Sequence, residues 1–207
     1  MGRERTVLVL RVLHGDRWGM PRARGDRPRT RMHARVRRLL PRMRPRYYKQ
    51  RDQFRCGPIA IYNALKWEGG FKGLTAKKAM PRLDALCDCD RITLGTYHGP
   101  FESTLRRTAR DFYDVRRVYT PKLHEIEEHL RSGGAIILNY QHIRKGKVAR
   151  HYVLVTDMSP GGEYFGVVNY QPKRPVYQRI HRDTLKKHIM RFRQPPFKGW
   201  FLTRTSQ

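Results

Sequence analysis

Gln50-Arg51-Asp52-Gln53-Phe54-Arg55-Cys56-Gly57-Pro58-Ile59-Ala60-Ile61-Tyr62-Asn63-Ala64-Leu65 is the stretch on which the fold turns. A polar, charged segment gives way at Cys56 to a mostly apolar run that ends at Gly69-Gly70. The pattern predicts a helix starting at or just after Cys56. Pro58 falls in the first turn, where a missing N–H has no intrahelical partner to lose. Ile61 and Leu65 form one row, and Ile59, Tyr62 and Lys66 another, so more than one face is apolar and the helix is expected to be central. A thiol at a helix N-terminus meets backbone N–H groups and the positive end of the dipole, which predicts a lowered pKa. Cys56 is then either an activated nucleophile or the buried, inert thiol that a free cysteine usually is.

A side-chain amide six positions before the cysteine, with Cys-Gly-Pro opening a helix, resembles the papain-like cysteine peptidases. Within them the likeness is to the leader-peptidase domain of bacteriocin exporters, which cleaves after a double-glycine signal. The resemblance implies attack by Cys56 and oxyanion binding by the Gln50 amide, with Gln53 as the local rival. It also implies that Gly57 and the Gly95-Thr96 loop border the substrate cleft. No transporter segment or ATP-binding loop accompanies these residues, so an export role does not carry over.

The other half of such a site is expected in His151-Tyr152-Val153-Leu154-Val155-Thr156-Asp157, Ser159-Pro160-Gly161-Gly162 and Tyr164-Phe165-Gly166-Val167-Val168-Asn169. Two β-rich runs around a Pro-Gly-Gly turn predict a hairpin. A turn centred between Pro160 and Gly161 places His151 opposite Tyr170, and a one-residue shift places it opposite Asn169. Either pairing brings an imidazole within side-chain reach of an amide. Alone, His151 reads as a solvated strand-end histidine and Asn169 as a turn former before Pro172. With Cys56 they make a Cys-His-Asn triad, in which the Asn169 side chain would accept a hydrogen bond from the imidazole. The exporter peptidases more often carry Asp at this place, whereas papain itself uses Asn.

Lys and Arg number 45 against 17 Asp and Glu, a formal charge of +28. That excess predicts attraction to nucleic acid, anionic membrane or acidic protein. Three cysteines argue against a disulfide framework and for a reducing, cytoplasmic setting. No run of about 18 apolar residues exists to span a membrane, and Thr6–Leu13 is broken by Arg11 and lacks the cleavage site of a secretory signal. Residues 1–46 are dense in arginine and carry Pro21, Pro28, Pro41 and Pro45. Such a segment is expected to be a mostly disordered extension, with a short helix around His33–Leu40. It reads as a polyanion-binding tail, as an Arg-rich targeting segment, or as the product of a start assigned upstream of Met20, Met32 or Met43.

Residues 47–207 are expected to form one domain. Thr75 is placed to cap a helix to Leu86, with Leu83 and Leu86 inward and Pro81 kinking it. Cys87, Cys89 and His98 lack the second ligand pair of a structural zinc site and read as packing or free thiols, so no metal or other cofactor is expected. Pro100–Phe112 reads as an amphipathic helix with Phe101, Leu105, Ala109 and Phe112 on one stripe. Val115–Tyr119 reads as a strand, and Thr120-Pro121 as the cap of a helix through Leu130. Ala135–Tyr140 reads as a buried strand, followed by a strand near Val176–Ile180, a helix Asp183–His188 and a strand Gly199–Thr203. The fold class is α+β and papain-like: helices around Cys56 packed on an antiparallel sheet carrying His151 and Asn169. The expected function is hydrolysis of a peptide or protein substrate by a thiol peptidase. An acyl transferase using the same triad, or a basic nucleic-acid-binding protein on a degenerate scaffold, are the alternatives.

Overall fold

The computed structural model describes residues 46–52, 54–67, 75–90, 95–144, 147–171, 174–190 and 198–205. The expectations for residues 1–45, for Gln53, for the Gly69-Gly70 stop and for Pro172 lie outside these. The fold is that of the unit Tyr47–Gln207.

Helix α1 spans Cys56–Trp67. Its start is set by Asp52, whose Oδ1 accepts the N–H groups of Phe54 at 3.2 Å and Arg55 at 2.9 Å. This local carboxylate turn delivers the chain into the first helical bond, from the Ile59 N–H to the Arg55 carbonyl at 3.0 Å. Every residue from Cys56 to Leu65 is buried, as a helix apolar on more than one face requires. Helix α2 (Ala76–Leu86) buries Ala79, Met80 and Leu83 and continues through Pro81. Thr75 makes no side-chain cap; its carbonyl instead accepts the Lys78 and Ala79 N–H groups, each at 3.0 Å.

Strands β1 (Cys89–Asp90) and β2 (Gly95–Thr96) form a two-stranded antiparallel ribbon. Helix α3 (His98–Ala109) starts earlier than expected, with Pro100 in its first turn and Phe101, Leu105 and Ala109 buried; Phe112 lies beyond its end. After β3 (Tyr113–Tyr119), Thr120 takes a φ of 49° and turns the chain, so α4 (Leu123–Arg131) begins after Lys122 rather than at Thr120-Pro121. The Glu125 carboxylate accepts the Lys122 N–H at 2.6 Å and replaces the expected threonine cap. Strands β4 (Ala135–Arg144), β5 (Lys147–Met158), β6 (Tyr164–Val168) and β7 (Tyr177–His181) follow, then α5 (Arg182–Met190) and β8 (Lys198–Arg204). Strand β4 thus runs well past Tyr140.

Six strands make one antiparallel sheet in the order β3-β8-β4-β5-β6-β7. Side chains alternate between its faces. Ile136, Leu138, Val153, Val155, Phe165, Val167 and Phe201 pack with Ile126 and Leu130 of α4 and Leu185 of α5. Tyr152 and Trp200 belong to the opposite alternation and meet Phe101 of α3 at ring-centroid distances of 4.2 and 4.7 Å. Helix α1 packs on β5 and is fastened by the buried Tyr113 hydroxyl, which donates to the Ala64 carbonyl at 2.7 Å. The class is therefore α+β, with helices packed against an antiparallel sheet. No helix among the described residues is long and apolar enough to cross a membrane.

The β5–β6 hairpin departs from the expected register. Leu154 faces Val168 and Val155 faces Val167, but Asp157 faces Gly166, so a bulge lies between Val155 and Asp157. The turn closes on Ser159, whose N–H bonds the Tyr164 carbonyl at 2.8 Å and whose carbonyl accepts the Gly162 N–H at 2.9 Å. Gly162 has a φ of 74°, a conformation that costs glycine little. The turn therefore centres on Gly161-Gly162, and the ladder ends at Leu154–Val168. His151 is strand-paired with neither Tyr170 nor Asn169; its pairing partner is Tyr140 on β4.

Candidate active site

Cys56 is the first residue of α1 and is 5% exposed. Its thiol lies within hydrogen-bond reach of its own backbone N–H, of Gly57, of the Tyr152 backbone and of the Thr96 hydroxyl. Tyr152 follows His151 on β5, so the helix end and the histidine strand meet at the sulfur. Burial pushes the Cys56 thiol up, and the backbone contacts, which act in the opposite direction, do not overcome it. The expected lowering of this pKa is thus reversed. A helix terminus lowers a thiol pKa when solvent shares the cost of the charge, and here the sulfur is buried.

His151 is buried, and its Nε2 stands 2.7 Å from the backbone carbonyl of Asn169. A carbonyl only accepts, so Nε2 carries a proton in this arrangement. This corrects the expected role of Asn169, whose side chain does not take that bond. Its Oδ1 accepts the Gln50 N–H at 3.1 Å, and its Nδ2 donates to the Tyr48 carbonyl at 2.9 Å. Asn169 sits at φ 59°, a left-handed conformation that asparagine tolerates better than most residues, and its own N–H bonds the Val176 carbonyl at 2.6 Å. Backbone conformation and side-chain anchors together aim the carbonyl at the imidazole.

Gln50 is buried, with Nε2 donating to the Asp52 carbonyl at 2.9 Å and Oε1 without a hydrogen-bond partner. An amide nitrogen carries two hydrogens, so this bond leaves the second one for another acceptor. Gln50 is tied to Asn169 across 119 residues of sequence, which draws the pre-helix segment and the end of β6 together. Gly57 and Thr96 touch: a Cβ at position 57 would lie 2.5 Å from Thr96 Cγ2. Gly95 is half-buried and pairs with Asp90 across the β1–β2 ribbon.

Cys87 is buried and Cys89 half-buried, and all three thiols are free. Burial pushes Cys87 well above the ordinary thiol range and Cys89 to about 11. His98 does not join them: its Nδ1 lies 2.6 Å from the Tyr152 hydroxyl, and its ring lies 6.3 Å from that of Trp200. Among the described residues no group of three or more His, Cys, Asp or Glu is arranged to hold a metal ion.

Asn63 is the residue that sequence reasoning missed. It is 1% exposed in the middle of α1 and grips both backbone groups of Tyr48, accepting its N–H at 2.7 Å and donating to its carbonyl at 3.0 Å. The same carbonyl is the anchor of the Asn169 amide. Its signal was present, since an asparagine inside a wholly apolar helix has to find a polar partner off the helix. The chain matches no known protein-family model, and no curated protein sequence matches it.

Proposed function

We propose that the chain is a cysteine peptidase of the papain-like kind, with Cys56 as nucleophile, His151 as general base and Gln50 as oxyanion donor. Asn169 is a positioning residue in this reading. The observation that carries it is the convergence of the α1 N-terminus, the Tyr152 backbone beside His151, and the His151–Asn169 bond of 2.7 Å. With Nε2 donating to a carbonyl, Nδ1 is the ring nitrogen that would take the Cys56 proton. The resting thiol is neutral, so the proton leaves as the sulfur attacks the scissile carbonyl. The Asn169 carbonyl stabilises the imidazolium that forms. The Cys56 N–H and the spare Gln50 hydrogen suit the developing oxyanion, a contribution of a few kcal/mol per donor (about 3). His151 then protonates the leaving amine, and water releases the acyl-enzyme; an acyl transferase would differ only in the acceptor.

A peptide-library digest of the purified protein tests the reading. Cleavage products are expected from the native chain and none from Cys56→Ala. Cleavage that survives this substitution would remove Cys56 from the chemistry. Products carrying an added amine rather than water would assign acyl transfer instead.

The charge supports polyanion binding as a second, compatible property. Residues 47–207 alone hold 30 Lys and Arg against 14 Asp and Glu. Deleting residues 1–46 is expected to weaken DNA or RNA binding and flatten its salt dependence. Unchanged affinity and slope would move the binding charge onto the folded unit.

A further inference from the structure

One thiol near the proposed nucleophile, that of Cys89, has no part in peptide hydrolysis. Cys89 Sγ lies 3.4 Å from the Thr96 hydroxyl, and the Cys56 thiol lies within hydrogen-bond reach of the same oxygen. The ribbon register sets Cys89 opposite Thr96, and the Thr96 methyl lies against the α-carbon of Gly57, the neighbour of Cys56. Cys87 is placed differently: it is fully buried, and the nearby Thr104 hydroxyl on α3 donates to the Leu86 carbonyl. Cys89 is the half-buried thiol of the pair and the one sharing a partner with Cys56.

We propose that Cys56 and Cys89 form an oxidative modification site, in which a peroxide oxidises Cys56 and Cys89 traps the product as a disulfide. The proposal rests on Cys56 being the nucleophile assigned above. His151 takes the Cys56 proton and the sulfur attacks one peroxide oxygen. An S–O bond forms, the O–O bond breaks, and the leaving oxygen departs as water with that proton. Cys56 is oxidised by two electrons to a sulfenic acid, and hydrogen peroxide is reduced to one water. The Cys89 thiolate then attacks the Cys56 sulfur, forming the S–S bond and expelling the hydroxyl, which leaves as a second water with the Cys89 proton. Two thiols and one peroxide become one disulfide and two waters. A sulfur held in that bond cannot attack an acyl carbon, so the site is off until a thiol reductant reopens it. The Thr96 hydroxyl has to rotate away as the sulfurs close to bonding distance. Since burial lifts Cys89 to about 11, the trapping step is expected to speed up as pH rises towards that value.

The test treats the full chain with hydrogen peroxide, blocks free thiols with iodoacetamide and maps the digest by mass spectrometry. A peptide pair joining Cys56 to Cys89, with Cys56 alkylation lost and returned by dithiothreitol, is the expected result. In Cys89→Ser, Cys56 is expected to gain two oxygens and stay unlabelled after reduction. A Cys87–Cys89 disulfide with Cys56 still reduced would overturn the proposal, as would equal recovery of Cys56 in Cys89→Ser. Mapping of the native chain decides the matter even where the variant fails to fold. The two readings separate in untreated protein. Fast alkylation of Cys56 there, with no Cys56–Cys89 link after peroxide, sinks this proposal alone; Cys56 alkylating no faster than Cys87 sinks the nucleophile with it.

Discussion

Replacing Asn169 separates two ways of orienting His151. In the structure the imidazole is held by the Asn169 backbone carbonyl, while the side chain is spent on Gln50 and Tyr48. Asn169→Ala removes both anchors. The Gln50 N–H is buried, and leaving such a donor unpaired costs about 1–3 kcal/mol. The Tyr48 carbonyl keeps its second bond from Asn63, so its loss is at the low end, near ~1 kcal/mol. Alanine at φ 59° adds about 1–2 kcal/mol that glycine does not. Asn169→Ala is therefore expected to lose roughly 3–6 kcal/mol of stability, and Asn169→Gly about 1–2 kcal/mol less than that.

Urea unfolding measures the stability side, and the rate of Cys56 alkylation at neutral pH measures the site without needing a known substrate. Both variants keep a carbonyl at position 169. In the folded fraction of Asn169→Gly, alkylation is expected to stay within about tenfold of native, well short of the roughly 10²–10⁴ that a general base contributes. A loss of about 10² or more in a stably folded Asn169→Gly would refute the reasoning, because the side-chain amide would then be acting on the ring itself.

Gly57→Ala is expected to destabilise by about 1–3 kcal/mol and slow Cys56 alkylation, since the new Cβ would meet Thr96 Cγ2 at 2.5 Å. Thr96→Ser removes that methyl and should restore part of both losses; a double variant no better than Gly57→Ala would show that Thr96 is not the obstacle. His129 is held by burial below the ordinary histidine pKa, although its Nε2 lies 3.2 Å from the carbonyls of both Ala135 and Leu202. Its stabilising effect is thus complete above the unfolded value of about 6.5 and is lost as pH falls through the lower folded value. Urea midpoints at pH 7.5 and 5.5 should fall less with acid in His129→Asn than in the native chain, and an equal fall would clear His129 of the effect. Gln50→Ala is expected to lower kcat on any cleaved peptide by about 10²–10³ with circular dichroism unchanged, and Gln53→Ala to do little. The reverse order would mean that the six-residue spacing assigns the wrong glutamine.

What the sequence made legible was local. Helix α1 could be read because its start depends on near neighbours, with Asp52 capping the turn and Pro58 tolerated in the first turn. The two sheet-forming runs around Ser159-Pro160-Gly161-Gly162 were equally clear. Their register was not, because a bulge between Val155 and Asp157 shifts the pairing and leaves no composition signal. The partners in the long-range polar ties were invisible for a related reason. Gln50, Asn63 and Asn169 are ordinary amides until the Tyr48 backbone is placed among them. Even with Asn169 singled out, sequence could not say that it would offer its carbonyl to His151 rather than its amide. That choice depends on the left-handed turn after Val168, fixed by a bond to Val176.

The thiol at the head of α1 shows where local reasoning loses to tertiary structure, and magnitudes explain why. A helix terminus favours a nearby charge by about 0.3–1 kcal/mol at an exposed site and up to ~2 kcal/mol when partly buried. Full burial can move a pKa by up to about 3–5 units against the charged form, at about 1.4 kcal/mol per unit. With Cys56 at 5% exposure the second effect dominates, and the sulfur rests as a thiol. The chemistry is then shifted in time. In the proposed mechanism the neutral thiol becomes nucleophilic only as its proton passes to His151, whose Nε2 is fixed on a carbonyl. On that proposal, selectivity would come from what can enter and hold the scissile carbonyl against Gln50 and the α1 N-terminus, and only secondarily from the intrinsic reactivity of the sulfur.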